Sequence, residues 1–560
     1  MFLWSRSRRF GSEMTVWKRR GTVMGRSPHS LAFWRPTYDR SVTSSGVRLT
    51  ELLASMSLAT DLGLGQPPEH MLRAARIGMR LGERLGLDTA ALATLYDVSV
   101  LTYVGCPIYG NEIASVFGDD IDFRAHASDV DLGGFPAMIF MLRRAGSGTS
   151  AFNRARQAAG LMASGGRGVI EQMANHCSAA GVLAERLGLS AEVRAGIEQS
   201  YARWDGKGVP ADLAGDALAL SARISHIAET AEVLHRTAGM GEAMEVIRSR
   251  SGTHFDPEVV TALTTDPESL FDGIDEHTLD EILDVEPVER PMLTEDELDR
   301  ALEAIGDFCD MRCPYFAGHA QGTAELVASA AALLQLPPAE TTLARRAALV
   351  HDIGRFGVPG TIWDKPGALS PTDRERMRMH VYYVERIFQR PEPLRRVGLL
   401  AATHHERMDG SGYHRGVAGP MISTPAKILA AADAYHAMTQ ARPHRAALSA
   451  ENAAQELRTE ANQGRLDPAA TDAVLTAAGQ KPSRSRAGGP AGLTTREAEV
   501  LGLLARGLPN KGIARQLGIS PKTVSNHIEH VYTKLAVSSR AGAAMHAMKL
   551  GLVGSTSTEV

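Results

Sequence analysis

The sequence predicts an all-α protein in which two copies of one helical domain, the first degenerate, precede a small four-helix unit. Three observations carry this. Through most of residues 50–480, apolar side chains recur every three or four positions with few β-branched runs, as in HMLRAARIGMRLGERLGL (70–87) and AELVASAAALLQL (324–336). A stretch near residue 203 recurs without a gap near residue 407. The C-terminal segment breaks into four short pieces, each opened by helix-start residues.

A chain of 560 residues has room for about three to four domains, because single cores stop growing near about 250 residues. Residues 1–45 are Arg-rich and read as a basic, disordered tail, or as an extension upstream of a start at Met14, Met24 or Met56. The first copy spans 46–265, an acidic linker 266–295, the second copy 296–480, a Pro/Gly/Ser/Arg-rich linker 481–491 and the four-helix unit 492–560. The net charge of −4 hides a basic C-terminal end, which points to a polyanionic partner. Hydrophobic content of 44% with 22% charged residues is that of a soluble globular protein. No apolar run approaches the ~18 residues needed to span a bilayer. The twin arginine Arg8-Arg9 is followed by no apolar stretch, so membrane insertion and export are both excluded. Of the cysteines Cys106, Cys177, Cys309 and Cys313, only the last two are neighbours and no second pair completes a zinc site. They read as reduced thiols of a cytoplasmic protein.

The repeat organises everything between. RWDGKGVPADLAGDALALSARISHIAE (203–229) aligns with RMDGSGYHRGVAGPMISTPAKILAAAD (407–433), placing Asp205 on Asp409, Glu229 on Asp433 and, upstream, His176 on His380. A second offset places His70 on His319 and Leu101–Gly105 on Val350–Gly354, so an insertion lies between 105 and 176 of the first copy. SGTHFDPEVVTAL (251–263) closes one copy and GRLDPAATDAVL (464–475) the other. The second copy carries His319, His351-Asp352, His380, His404-His405 and Asp433; the first has Thr102-Tyr103 and Ser200-Tyr201 where four of these stand.

Imidazoles and carboxylates without thiolate suit two divalent ions, Fe or Mn first, with Ni and Zn open. Asp352 is the natural bridge, with His319, His351 and Asp433 completing one seat and His380, His404 and His405 the other. The first copy keeps too few ligands for this. It is either a sensing module that retains a nucleotide pocket or a packing partner.

HD followed by HHERMDGSGY and KILAAADAY, with the KPGALS loop, resembles the HD-GYP branch of the HD phosphohydrolases over about 315–476. That resemblance implies an all-helical fold, so that with the repeat the chain carries tandem HD-type helical domains, and it implies a two- or three-metal centre and phosphodiesterase action on cyclic dinucleotides, cyclic di-GMP above all. It also makes Asp352 and Arg355 catalytic candidates, and Lys365, Gly412, Tyr413 and Arg415 substrate-binding candidates. Three positions depart from the family pattern. Arg355 replaces a lysine, exchanging a point charge for a bidentate clamp. Tyr315 stands where a third-metal glutamate can occur. His414 replaces the proline of GYP, freeing φ and adding an N–H.

In the C-terminal unit, Thr494 with Glu497 forms a capping box, and Ser520-Pro521 supplies an N-cap and an N1 proline for KTVSNHIEHVYTKL. LTTREAEVL, NKGIA, SPKTVSNH and KL together are similar to the LuxR-type helix-turn-helix over 492–553. The resemblance implies a transcription regulator that binds double-stranded DNA as a homodimer through its last helix. The DNA-binding candidates are Asn510, Lys522, Thr523, Val524, Asn526, His527 and Lys534, although Val524 also falls on the inward stripe with Ile528, Val531 and Leu535.

The whole reads as a cytoplasmic transcription regulator carrying a phosphodiesterase domain. Two alternatives stay open: HD domains that sense a nucleotide without hydrolysing it, and a phosphohydrolase with a vestigial tail.

Overall fold

Several helix starts are written locally. Ser370, Ser423, Ser449 and Thr494 each accept a backbone N–H of the first turn they cap. The computed structural model describes residues 46–552 except 109, 129, 132–133, 212, 275–281, 482–492 and 536. The basic tail and the linker at 482–491 therefore lie outside the described residues. Among the described residues there is no β-sheet, only isolated bridges such as Tyr201 with Val209. The all-α expectation holds.

The first copy is built on helices Leu49–Leu64, His70–Arg84, Thr89–Leu101, Arg167–Arg186 and Leu220–Ala238. The second repeats them as Glu295–Asp310, His319–Leu333, Pro338–Val350, Pro371–Ile387 and Thr424–Thr439. The equivalence extends to single contacts. Asp61 accepts the N–H of Met71 at 3.0 Å, and Asp310 accepts that of Ala320 at 3.0 Å. A Cβ on Gly105 would stand 2.1 Å from the carbonyl oxygen of His176, and one on Gly354 2.0 Å from that of His380. Only glycine permits that approach. The peptide bonds Val209-Pro210 and Tyr413-His414 are both cis.

The insertion in the first copy forms helices Gly110–Phe117, Asp120–Ala125, Gly134–Arg144 and Ala151–Ser164 around a small core, with Phe117 and Phe123 stacked at 4.0 Å. It meets the second copy through a buried ionic knot. Arg312, fully buried, pairs with Asp120 at 2.8 Å and donates to the carbonyl of Val358 at 2.7 Å. Asp120 also accepts from Arg124 at 2.7 Å and from the N–H of Gly360 at 2.8 Å.

The acidic stretch 266–295 differs from the expected linker. Leu270, Phe271, Ile274 and Ile282 are buried, Tyr96 donates to the carbonyl of Ile282 at 2.9 Å, and Arg290 forks onto Asp97 at 2.9 and 2.7 Å. These four buried apolar side chains are interspersed among acids. Composition therefore suggests a spacer, whereas burial of those four makes it part of the core.

Candidate metal centre

Each ligand candidate sits where a helix begins, ends or faces inward. His319 opens its helix after Gly318, whose φ of 73° turns the chain. His351-Asp352 follow helix Pro338–Val350, and His404-His405 follow helix Glu392–Ala401. His380 and Asp433 project from the interiors of theirs. The structure brings all seven together. Asp352 Oδ2 lies 3.0 Å from His351 Nε2 and 3.6 Å from His319 Nε2; Oδ1 lies 3.7 Å from His380 Nε2 and 3.8 Å from His404 Nε2. Asp433 Oδ1 is 3.2 Å from His319 and 3.7 Å from His351, while Oδ2 is 3.9 Å from His405 Nδ1. Two ligand trios result, His319–His351–Asp433 and His380–His404–His405, with Asp352 facing both.

The donors fit divalent cations. Nδ1 of His351, His380 and His404 is bound to the carbonyls of Ala348 (2.7 Å), Met377 (2.5 Å) and Ala401 (2.8 Å). A carbonyl can only accept, so each Nδ1 carries a proton, and Nε2 of His380 and His404 presents a lone pair inward; burial opposes a charged His351, but Asp352 and Asp433 raise it to about 10, so its Nε2 gives up a proton when an ion binds. The Nε2 atoms of His380 and His404 face each other at 3.2 Å in a buried setting, an arrangement that a shared cation resolves. Both carboxylate oxygens of Asp352 are buried without a hydrogen bond. Burial lowers His380 to about 4 and His404 to about 3, and holds His405 well below the usual imidazole range. Burial opposes the charge of Asp352, yet the neighbouring Arg355 and His351 hold its carboxyl well below the usual range. Neutral imidazoles and ionised carboxylates are the metal-binding forms.

Arg355 pairs with Asp352 and lies 3.8 Å above the Phe316 ring and 5.2 Å from that of Trp363. Arg442 is also 4.9 Å from the Phe316 ring, and its guanidinium, pushed down to about 10 by burial and by Arg355, adds a second cation beside the ligands. Arg442, Trp363 and Phe316 were not singled out in the sequence. Neither was His436, whose Nδ1 is 3.0 Å from that of His319; its signal was its place three residues after Asp433 on one helix.

The substrate-binding candidates divide. Tyr413 lies over His405 at 4.7 Å. Gly412 is set by sterics, since a Cβ there would meet the His405 carbonyl and the Arg407 N–H at 2.5 Å. Lys365 is paired with Asp373 at 2.7 Å, and Arg415 with Glu385, which also lies 3.4 Å from His414. Their charged ends are held by these acids rather than by the histidine cluster.

In the C-terminal unit, helices Asn510–Leu517 and Pro521–Leu535 form the helix-turn-helix pair. Lys522 and Asn526 are exposed, and Thr523 and His527 half-buried. Val524 is fully buried beside Ile513, Ile528 and Val531, so it belongs to the core and not to a base-reading surface. Asn510 donates to Ser525 at 3.2 Å and accepts from Arg540 at 3.4 Å, which ties three helices together. Lys534 is bonded to Glu497 at 2.6 Å.

A family model described as HD domain matches residues 169–259 and 303–470, and one described as bacterial regulatory proteins, luxR family, matches 491–547. The chain is 32% identical over 418 residues to the 3'3'-cGAMP-specific phosphodiesterase 3 of Vibrio cholerae, covering 74% of this chain and 91% of that protein. It is 40% identical over 132 residues to the cyclic di-GMP phosphodiesterase of Thermotoga maritima, covering 23% of this chain and 35% of that one. A crystal structure of a cyclic GMP-AMP specific phosphodiesterase of V. cholerae superposes with a TM-score of 0.54 at 27% identity, over 78% of this chain and 99% of that one.

Proposed function

The chain belongs to the HD-domain cyclic dinucleotide phosphodiesterase family, and on that premise we propose that its second copy opens a cyclic dinucleotide such as cyclic GMP-AMP or cyclic di-GMP with two divalent ions, Fe or Mn first. It is a metal-dependent phosphodiesterase joined to a LuxR-type DNA-binding domain. The observation that carries the proposal is the pair of ligand trios facing opposite oxygens of Asp352. His319, His351 and Asp433 would hold one ion and His380, His404 and His405 the other. Ions there supply Lewis acidity toward a phosphodiester and a nucleophile at neutral pH. Arg355 and Arg442 add positive charge beside the ligands, suited to the anionic oxygens of a phosphodiester as charge builds on them. Tyr413, tilted against His405 with ring centroids 4.7 Å apart, supplies an aromatic ring beside the ligands.

One observation favours the sensing alternative. Arg355 is engaged with Asp352 itself, where the family carries a lysine. Purified protein with Mn²⁺ or Fe²⁺, assayed against a panel of cyclic dinucleotides and simple phosphodiesters, decides between the two. Turnover of a cyclic dinucleotide that His404→Ala abolishes along with metal content supports the enzyme. Binding without turnover in the presence of bound metal supports the sensor.

In this reading the C-terminal unit acts on double-stranded DNA, as a homodimer, in the cytoplasm. No helix among the described residues is long and apolar enough to cross a membrane. Lys522→Ala weakens promoter binding and reduces its salt slope by about one; unchanged, salt-independent binding would instead mark the domain as vestigial.

A further inference from the structure

The first histidine of each copy, His70 or His319, meets a different partner at the same place. In the first copy Glu232 Oε2 lies 2.6 Å from His70 Nδ1; in the second, the residue at the matching repeat position is His436, with Nδ1 3.0 Å from His319 Nδ1. A second exchange accompanies it. Arg73 bonds Glu232 at 2.8 Å, whereas its counterpart is Gly322. A Cβ on Gly322 would stand 2.0 Å from His436 Nε2, so the imidazole at 436 requires glycine at 322. The ionic pair Arg73–Glu232 has thus been replaced in concert by a neutral ring and the space to seat it.

We propose that His436 is a positioning residue for the first metal seat: it accepts the Nδ1 proton of His319 and so turns the His319 Nε2 lone pair onto the ion shared with His351 and Asp433. The inference rests on the metal-centre reading above. His319 Nε2 lies 3.2 Å from Asp433 and 3.6 Å from Asp352, so it is the nitrogen on the ligand side. To coordinate, it must be unprotonated, and the ring proton then sits on Nδ1. His351, His380 and His404 hand that proton to a carbonyl three residues back. His319 occupies the first position of its helix, so no earlier turn of that helix lies behind it, and its Nδ1 lies against His436 instead. Its Nδ1 needs an acceptor from another helix, and His436 provides it. With its own Nδ1 accepting, His436 carries its proton on Nε2, the atom packed against Gly322. Being neutral, this acceptor orients His319 without adding the negative charge that Glu232 brings to His70.

Two variants of the full chain test this, with ions per chain and Mn²⁺ affinity read by elemental analysis and titration calorimetry after chelator stripping. The wild type takes up two Mn²⁺ per chain. His436→Ala keeps one at wild-type affinity and binds the other about 10–100-fold more weakly, the usual cost of losing such an orienting partner. His436→Asn, which retains an acceptor oxygen, recovers most of that loss. Gly322→Ala weakens the same ion although it removes no polar group. If His436→Ala binds both ions as the wild type does, or if the Asn and Ala variants lose the ion equally, the positioning role is wrong. If the wild type itself binds no Mn²⁺ or Fe²⁺, the metal-centre reading fails and His436 is not at issue.

Discussion

In the second copy, His319 looks across at Asp433 and Asp352 with His351 and His436 beside it. In the first copy, the matching His70 sits between Glu229 at 3.4 Å and Glu232 at 2.6 Å, with Arg73 and Arg236 closing on Glu232. Burial opposes a charged His70, but the two glutamates raise it to about 10, while burial is likewise overcome at Glu232, which His70 and the arginines lower to about 2. A protonated histidine thus balances the charge of the acids inside the protein. The rest of the former site is filled rather than collapsed. Tyr103 and Tyr201, at the places of Asp352 and His405, pack at 5.2 Å, and Cys106, at the place of Arg355, bonds Tyr201 at 2.7 Å. Among the described residues, no group with metal-ligand spacing occurs in this copy. The places of the lost ligands are thus occupied by packing side chains. The difference teaches that an HD scaffold can lose its ligands and keep its fold if aromatic rings and an internal cation take over volume and charge.

That contrast can be broken most sharply at its centre. Asp352→Asn removes the carboxylate that both trios face, and hydrolysis should fall by at least about 10²–10³-fold, with metal content falling alongside. Tyr103→Phe, at the matching place in the first copy, should change neither. Loss of metal in the tyrosine variant would show that the first copy still contributes to the centre.

Stability provides the next test. Arg312 joins the second copy to the insertion of the first and is wholly buried against Asp120. Arg312→Ala strands part of that buried charge and should cost about 3–5 kcal/mol, read as a lower denaturant midpoint. A cost below about 1 kcal/mol would mean that the copies do not lean on one another there.

The His70 network predicts a pH signature that a variant at this residue reads. Its folded value, about 10, lies above the ordinary 6.5, so its stabilisation is complete below 6.5 and is lost as pH rises through 10. Glu232 has the opposite sense: its contribution is complete above 4.5 and is lost as pH falls through about 2. His70→Gln should therefore cost about 1.5–3 kcal/mol at pH 6, and the gap to the wild type should close toward pH 10.5. A gap that does not narrow with pH would show that His70 is neutral when folded.

Much of this was legible because it is periodic or repeated. The offset that set Glu229 on Asp433 also set His70 on His319, and four departures at once exposed the degenerate copy. The pairing of the seven ligand candidates followed from chemistry. What stayed hidden depends on contacts across long separations with no pattern of their own. Asp120 and Arg312 are far apart in sequence and belong to different copies. The acidic stretch looked like a spacer because its four buried apolar residues are scattered. Lys365 looked free because Asp373, which holds it, is reached only after the chain turns into the next helix. Val524 carried two expectations, and burial decided for the core.

The smallest effect tests how closely the copies match away from the site. Arg223 and Lys427 occupy one repeat position, and Asp256 and Asp467 cap the closing helix of each copy. Arg223 reaches Asp256 at 2.6 Å with side-chain exposures of 14% and 3%, whereas Lys427 reaches Asp467 at 3.4 Å with exposures of 19% and 20%. A shorter, drier contact to a planar guanidinium keeps more of its Coulomb gain than a longer, wetter one to an ammonium. Arg223→Ala should therefore cost about 1 kcal/mol and Lys427→Ala no more than about 0.5 kcal/mol, measured as separate midpoint shifts under one set of conditions. The reverse order would mean that the first copy, having lost its metal, has also relaxed the brace that closes its last helix.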